Sequence, residues 1–459
     1  MDRSRLWLSV RGDFALAVVH RLVLFIISPC FRRIYMACLK IGPDKRGNVA
    51  ICEDGKVIYF GAASSAPEHE VAETLDAKDA EILPGWVCSH THLYSALCPF
   101  GMPAPEHAPE NFTQILERIW WRLDRAIDRD ILRASARLYV AESLLAGTTS
   151  IVDHHESPNY IEGSLDTLAD AYEEFGARGI LTYGATDRNF GKSEGKRGID
   201  ECVRFVRENK RKLVKGMVGL HAQFTCSDDT IRYAGEKARE LGVGIHVHVA
   251  EGSADVVDAM DRGYESPADR IEKLGALVPH SIFVHCIHMS AAETKHAADQ
   301  GVWFVQNPRS NHGNAVGWPF SLRYAQKVAL GVDGWSGDMN VELDFGKKEA
   351  QAQGDDPINV THRLYSGWRM MSDFFDAEIG PLNTIENCRR SIRTTVADLR
   401  IVDDKGVRHT VVDGKVVVKD HKLVNGDIDA IRAEAKAQAE RLWAEMVKYP
   451  ETYTYHYDD

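Results

Sequence analysis

Short apolar runs recur about every thirty residues through the middle of this chain, and each is followed by polar or titratable side chains. The runs are Trp86 to Cys88, Ser150 to Val152, Gly179 to Tyr183, Met217 to Leu220, Val243 to Ile245, Ile282 to Val284, Val302 to Val305 and Val328 to Leu330. The first shows no alternation and reads as a strand buried on both faces, as in a parallel sheet. Helical patterns separate most of them. Leu165, Leu168, Ala169, Tyr172 and Phe175 form one apolar face, and Ile231, Ala234, Ala238 and Leu241 another. Eight such units predict an α/β fold, a (β/α)8 TIM-like barrel. In that architecture the ends of the strands converge on one face. The groups just past the runs are His90 and His92, then Asp153, His154 and His155, Asp187, His221, His248 with Glu251, His285, Asn307 and Asp333. Eight strand ends in step predict a site.

The two ends of the chain predict something else. Asn48 to Ile51 and Val57 to Phe60 flank Asp54-Gly55, and Thr410 to Val418 repeats the device around Asp413-Gly414. Asp-Gly supplies the positive φ angles of a two-residue hairpin. The expected organisation is a small β domain from residues 36–83 and 395–425, a barrel with trailing helices over 84–394, and a C-terminal helix and tail over 426–459. Asp427 is the expected N-cap of that helix, with Ile431, Ala435, Leu442 and Met446 as its buried stripe. Residues 1–35 read as a hydrophobic extension, either dispensable or a targeting or anchoring segment: Phe14 to Phe31 is short for a membrane span and carries Arg21 near its middle.

Bulk properties exclude some partners. With 55 Lys and Arg against 67 Asp and Glu, the net charge of −12 argues against nucleic acid. Nine cysteines with no CxxC spacing suggest reduced thiols, hence a cytoplasmic location without a disulfide framework. A small molecule is the expected partner, with a homodimer as the expected assembly.

The chemistry starts at His90 and His92. Residues two apart on a strand point the same way, so both imidazoles face one spot. His248 ends a later run, and Glu251 follows three residues on, placing a carboxylate beside a metal-binding imidazole. Asp333 ends the eighth run, and its register makes it the fourth ligand. Three imidazoles and one carboxylate suit one divalent metal, zinc first and iron(II) as the alternative. Such a metal lowers the pKa of its water to about 7. His246 shares the direction of His248 and reads as either packed or a residue behind the ligands, the packed reading being preferred. Trp120 and Trp121 read as core.

HTH after Pro84-Gly85, HVAE (His248 to Glu251), HCIH (His285 to His288), NPRSN (Asn307 to Asn311) and VDG (Val332 to Gly334) occur in that order. As an ordered set, over about residues 45–425, they resemble the mononuclear-metal amidohydrolase superfamily, in its cytosine/guanine deaminase and chlorohydrolase branch. Ile119 to Asp128 and Asp153 to Leu165 resemble the SsnA-type aminohydrolases within it. The resemblance implies a hydrolase of carbon–nitrogen bonds, a deaminase of a small nitrogen heterocycle such as an amino-purine or amino-pyrimidine. It implies metal binding by His90, His92, His248 and Asp333, catalysis by Glu251, His285 and Asp333, and substrate contacts from His221, His154, His155, Gln223 and Asn311. His288 is expected to pack behind the barrel. The gap from Asp403 to Val412 is shorter than the family pattern. A chlorohydrolase or cyclic-amide hydrolase on the same site is the alternative, and a non-catalytic barrel scaffold the outsider. A bridging carboxylated lysine, which a two-metal site needs, has no candidate at Leu220-His221-Ala222.

Overall fold

The computed structural model describes residues 38–382 and 395–452. The expected extension over 1–35, residues 383–394 of the expected barrel region and the tail over 453–459 lie outside them. Eight parallel strands fill the middle of the chain. They are β1 (Trp86–Thr91), β2 (Thr148–His155), β3 (Arg178–Tyr183), β4 (Val218–Ala222), β5 (Ile245–Val249), β6 (Ile282–His285), β7 (Trp303–Gln306) and β8 (Val328–Leu330). Every residue in them is buried, as expected for strands covered on both faces.

The strands pair in sequence order as two sheets. One holds β1, β2, β3 and Val214–Gly216, and the other runs from β4 to β8. Hydrogen bonds join the sheets at both edges. At one, Ala185 bridges Leu220, and the His221 N–H donates to the Ala185 carbonyl at 2.9 Å. Gly219 permits this approach, since a Cβ there would lie 2.1 Å from Thr182 Cγ2 and 2.2 Å from the Tyr183 carbonyl. At the other edge Thr91 bridges Asp333, and the Val332 and Asp333 N–H groups donate to the His90 carbonyl at 2.9 and 3.1 Å. First and last strands therefore meet at the expected metal ligands.

Helices cover the strands. Ser164–Phe175 buries Leu165, Leu168, Ala169, Tyr172 and Phe175. Asp228–Leu241 is capped by the Ser227 hydroxyl and buries Ile231, Ala234 and Ala238. One expected strand is displaced: Val243 to Ile245 becomes Ile245–Val249. Gly242 ends the preceding helix at φ +67, and a Cβ on Gly244 would lie 2.1 Å from the His280 carbonyl, so the chain is still entering the sheet there. Among the described residues no helix is long and apolar enough to cross a membrane, and the seven cysteines they include are free.

The chain ends meet in two antiparallel hairpin systems. Asn48–Glu53 pairs with Lys56–Ala62 around Asp54 and Gly55, at φ 52° and 74°. Gly406–Val412 pairs with Lys415–Lys419 around Asp413 and Gly414, at φ 50° and 75°. Thr395–Val396 adds to the first system, and Leu399–Asp403 pairs with Glu81–Pro84 in the second. The short stretch after Asp403 is a tight turn leading straight into Gly406. The C-terminal helix Ile428–Met446 is capped by Asp427 and buries Ile431, Ala435, Leu442 and Met446.

Asp398 ties the C-terminal hairpins to the central strands. Its carboxylate accepts from Arg178 Nε at 2.7 Å, Arg178 Nη2 at 3.1 Å and the Asp413 N–H at 2.7 Å. The side chains of this pair are only 5% and 2% exposed, so removing one partner strands the other. Asp398→Ala is expected to lower the unfolding free energy by about 3–5 kcal/mol, the usual cost of breaking a buried pair. Urea unfolding measures it, and a loss below about 1 kcal/mol, the range of exposed pairs, contradicts the assignment.

Candidate metal centre

β1 delivers His90 and His92 from one side, β5 delivers His248, and the turn after β8 delivers Asp333. One donor atom from each of these four lies within 4.8 Å of all the others. Asp333 Oδ1 is 2.8 Å from His92 Nε2 and 3.1 Å from His90 Nε2, and the Nε2 atoms of His90 and His248 are 3.3 Å apart.

The far side of each imidazole explains this orientation. His92 Nδ1–H donates to the His154 carbonyl at 2.6 Å, and His248 Nδ1–H donates to the His221 carbonyl at 2.8 Å. A carbonyl only accepts, so each Nδ1 carries a proton, and Nε2 is the atom whose lone pair the neutral ring presents. His90 Nδ1 faces His246 Nε2 at 2.9 Å, and with His90 as donor its Nε2 is free as well. Three lone pairs and a carboxylate oxygen aimed at one point repel one another unless positive charge lies among them. The donor set therefore fits a divalent cation of the zinc or iron(II) type.

The electrostatics agree. Burial lowers His90 to about 3 and drives His248 well below the ordinary imidazole range. Both are neutral, as ligands must be. At His92 burial opposes protonation, but the charge and hydrogen bond of Asp333 outweigh it and raise the group to about 9. Burial likewise disfavours the Asp333 carboxylate, yet His92 and His90 hold it well below the usual range. The carboxylate thus draws a positive charge to this point, a demand that a bound cation meets.

Beside the donors lies a cavity walled by Tyr94, Phe112, Leu116, Trp120, Trp121 and Phe224. His92, His221, His248, Glu251 and Asp333 open into it, with Asp124 and Asn314. Burial, and next the charge of Asp333, raise Glu251 well above the usual carboxylate range. His285 Nε2 lies 3.4 Å from Glu251 Oε2, while His285 Nδ1 faces Asn311 Oδ1 at 2.7 Å. Ala250, His285 and Asp333 adopt left-handed φ of 51°, 67° and 56°. Strained backbone at the ends of β5, β6 and β8 is typical of functional turns.

The sequence-derived residues divide into two groups. His90, His92, His248 and Asp333 converge, Glu251 and His221 reach the cavity, and His285 adjoins Glu251. The remaining substrate candidates do not line it. His154 Nε2 is engaged by the Leu220 carbonyl at 2.9 Å, and His155 Nε2 contacts Ser157 Oγ at 2.8 Å. The Gln223 amide is held by Asp255 and Arg270, and Asn311 stands behind His285. His246 is more than packing, because it backs His90. His288 is exposed, not packed behind the strands. Asp187 is consumed structurally, accepting from the Ser227 N–H at 2.6 Å and Thr230 Oγ1 at 2.8 Å. Trp121 is core, as read, at 1% exposure with Arg188 stacked 4.6 Å above its ring, and Trp120 packs against the same cluster; both also line the cavity. Asp124, Phe112, Phe224 and Asn314 carried no sequence signal beyond lying near the cited motifs.

Known proteins are similar to this chain in sequence and in fold. A 5'-deoxyadenosine deaminase from Methanosarcina mazei is 27% identical over 88% of this chain and 95% of its own length. A 5-methylthioadenosine/S-adenosylhomocysteine deaminase from Moorella thermoacetica is 28% identical over 89% and 95%. Among solved structures, an adenosine deaminase from Xanthomonas campestris with bound zinc superposes with a TM-score of 0.74 at 21% identity, covering 89% of this chain and 98% of that one. An atrazine chlorohydrolase from Arthrobacter aurescens complexed with zinc reaches 0.71 at 19%, covering 88% and 100%. The Amidohydrolase family model matches residues 82–360, well over half of the sequence and the whole of the ligand set. The chain belongs to the amidohydrolase family.

Proposed function

We propose that this protein is a metal-dependent aminohydrolase that releases ammonia from an amino-substituted nitrogen heterocycle. The observation that carries the reading is the convergence of His90, His92, His248 and Asp333 beside a cavity into which Glu251 opens. The relatives that match across most of their length are deaminases of adenine-bearing compounds, which favours an amino-purine-like ring. The chlorohydrolase likeness is one of fold, at 19% identity, so chloride displacement stays the second reading. The eight strands, hydrogen-bonded in order and linked first to last, are read as a (β/α)8 barrel with a composite β domain from both chain ends.

In this reading His90, His92, His248 and Asp333 hold one divalent ion, with zinc the expected occupant. The ion's chemistry is to make water a hydroxide source near neutral pH. The remaining steps belong to the chain. Asp333 accepts a proton from the attacking water, which adds to the ring carbon bearing the amino group. Glu251, whose carboxyl burial and the charge of Asp333 push well above the usual carboxylate range, gives its proton to the adjacent ring nitrogen. His285 has Nδ1 committed to Asn311, so its Nε2 is an acceptor suited to orienting the water. As the C–N bond breaks, Asp333 passes its proton to the departing amine, completing ammonia. The new C–OH becomes C=O and returns a proton to Glu251. Trp120, Trp121 and Phe112 form an apolar enclosure that excludes bulk water from the ring.

Two outcomes follow. Glu251→Gln keeps a hydrogen-bonding amide but has no acidic proton. It is expected to retain the wild-type metal content while ammonia release falls about 10²- to 10⁴-fold; undiminished turnover removes Glu251 from the mechanism. Stripping the purified protein with a chelator is expected to abolish ammonia release, and adding back zinc or iron(II) to restore it. Activity that survives with no metal by elemental analysis overturns the proposal.

A further inference from the structure

Each catalytic carboxylate has a second oxygen, and one helical turn takes up both. The helix Pro308–Gly313 begins directly after β7 and ends at Asn314, so Ser310 and Asn314 stand at i and i+4 on one face. The Ser310 hydroxyl donates to Asp333 Oδ2, the oxygen opposite the Oδ1 that faces His90 and His92. Ser310 Oγ accepts in turn from Asn314 Nδ2 at 3.2 Å. The same Nδ2 reaches Glu251 Oε1 at 3.5 Å, leaving Oε2 on the side of His285. A hydrogen-bonded chain Asp333–Ser310–Asn314–Glu251 thus spans the ligand and the acid. Ser310 is 4% exposed, so water competes poorly for its bonds.

We infer that Ser310 and Asn314 are positioning residues that fix which oxygen of Asp333 turns to the metal and which oxygen of Glu251 turns to the substrate. The direction of donation sets the nature of the role. An amide NH₂ is only a donor, and Asn314 donates toward both neighbours. Protons therefore cannot pass from Asp333 to Glu251 along this path, and the chain orients the two groups without relaying between them. The inference rests on the proposed roles of Asp333 and Glu251.

Cobalt(II)-substituted protein, read by visible absorption and chelator competition as well as by turnover, separates this role from general support of the fold. Ser310→Ala frees the Asp333 carboxylate to rotate. It is expected to shift the cobalt ligand-field bands and to weaken metal binding about 10- to 100-fold, the usual effect of losing an outer-sphere partner. Ser310→Thr, which keeps the hydroxyl, is expected to restore both. Asn314→Leu removes the donor to Glu251 and is expected to leave the bands unmoved while kcat falls about 10-fold or more with KM little changed. Ser310→Ala bands identical to wild type, or Thr failing to restore them, overturn the Ser310 assignment; an unaltered kcat in Asn314→Leu overturns that of Asn314. If the wild-type protein binds cobalt but deaminates nothing, the functional reading fails, and the spectra alone still decide the role of Ser310.

Discussion

Three buried imidazoles and one carboxylate, aimed at a single point, are the constraint on which the rest of this molecule depends. Three imidazole lone pairs and a carboxylate within 4.8 Å are tolerable only where positive charge is shared among them and each ring is held from behind. The backing comes from other strand residues: the His154 carbonyl on β2, the His221 carbonyl on β4 and the His246 ring on β5. Strand order is thereby coupled to ligand orientation. The point where the last strand returns to the first, through the His90 carbonyl and the Asp333 N–H, is also where the carboxylate is aimed.

That coupling explains how the scaffold is distributed. The central strands are buried throughout, and their role is to be rigid. The site residues stand at or just past their ends, where Ala250, His285 and Asp333 take backbone conformations that L-residues avoid. Helix Pro308–Gly313 and the wall bearing Trp120 and Trp121 then supply orientation and enclosure. The C-terminal segment adds to the wall from outside: the Tyr449 carbonyl accepts from Arg122 Nε at 2.9 Å, and Arg125 stacks 4.7 Å from the Tyr449 ring. Parts of the chain far apart in sequence thus converge on one small volume.

Much of this was legible before any coordinates. Apolar runs announce buried strands, and the polar residue after each run announces a strand end, so His90, His92, His248, Glu251 and Asp333 could be placed by register alone. Asp54-Gly55 and Asp413-Gly414 announced their turns for an equally local reason. What was not legible depends on which way a side chain turns once the strand stops. His154 and His155 are adjacent in sequence, yet one contacts the β4 backbone and the other Ser157. The family resemblance implied a substrate contact from Gln223, but Arg270 and Asp255, from other helices, claim its amide. His246 shows the reverse, since no pattern distinguishes a packed histidine from one that backs a ligand. Trp120 and Trp121 are consecutive aromatics, a pattern that fits a core or a cavity wall equally well, and only tertiary packing shows that they serve as both.

The central claim is that one ion sits where these four side chains point. Anomalous diffraction from crystals of the purified protein, recorded on either side of the zinc or iron absorption edge, tests it most directly. The account predicts a single strong peak at about 2.0–2.2 Å from Nε2 of His90, His92 and His248 and from an oxygen of Asp333. No peak there, with the four side chains ordered in the density, contradicts it.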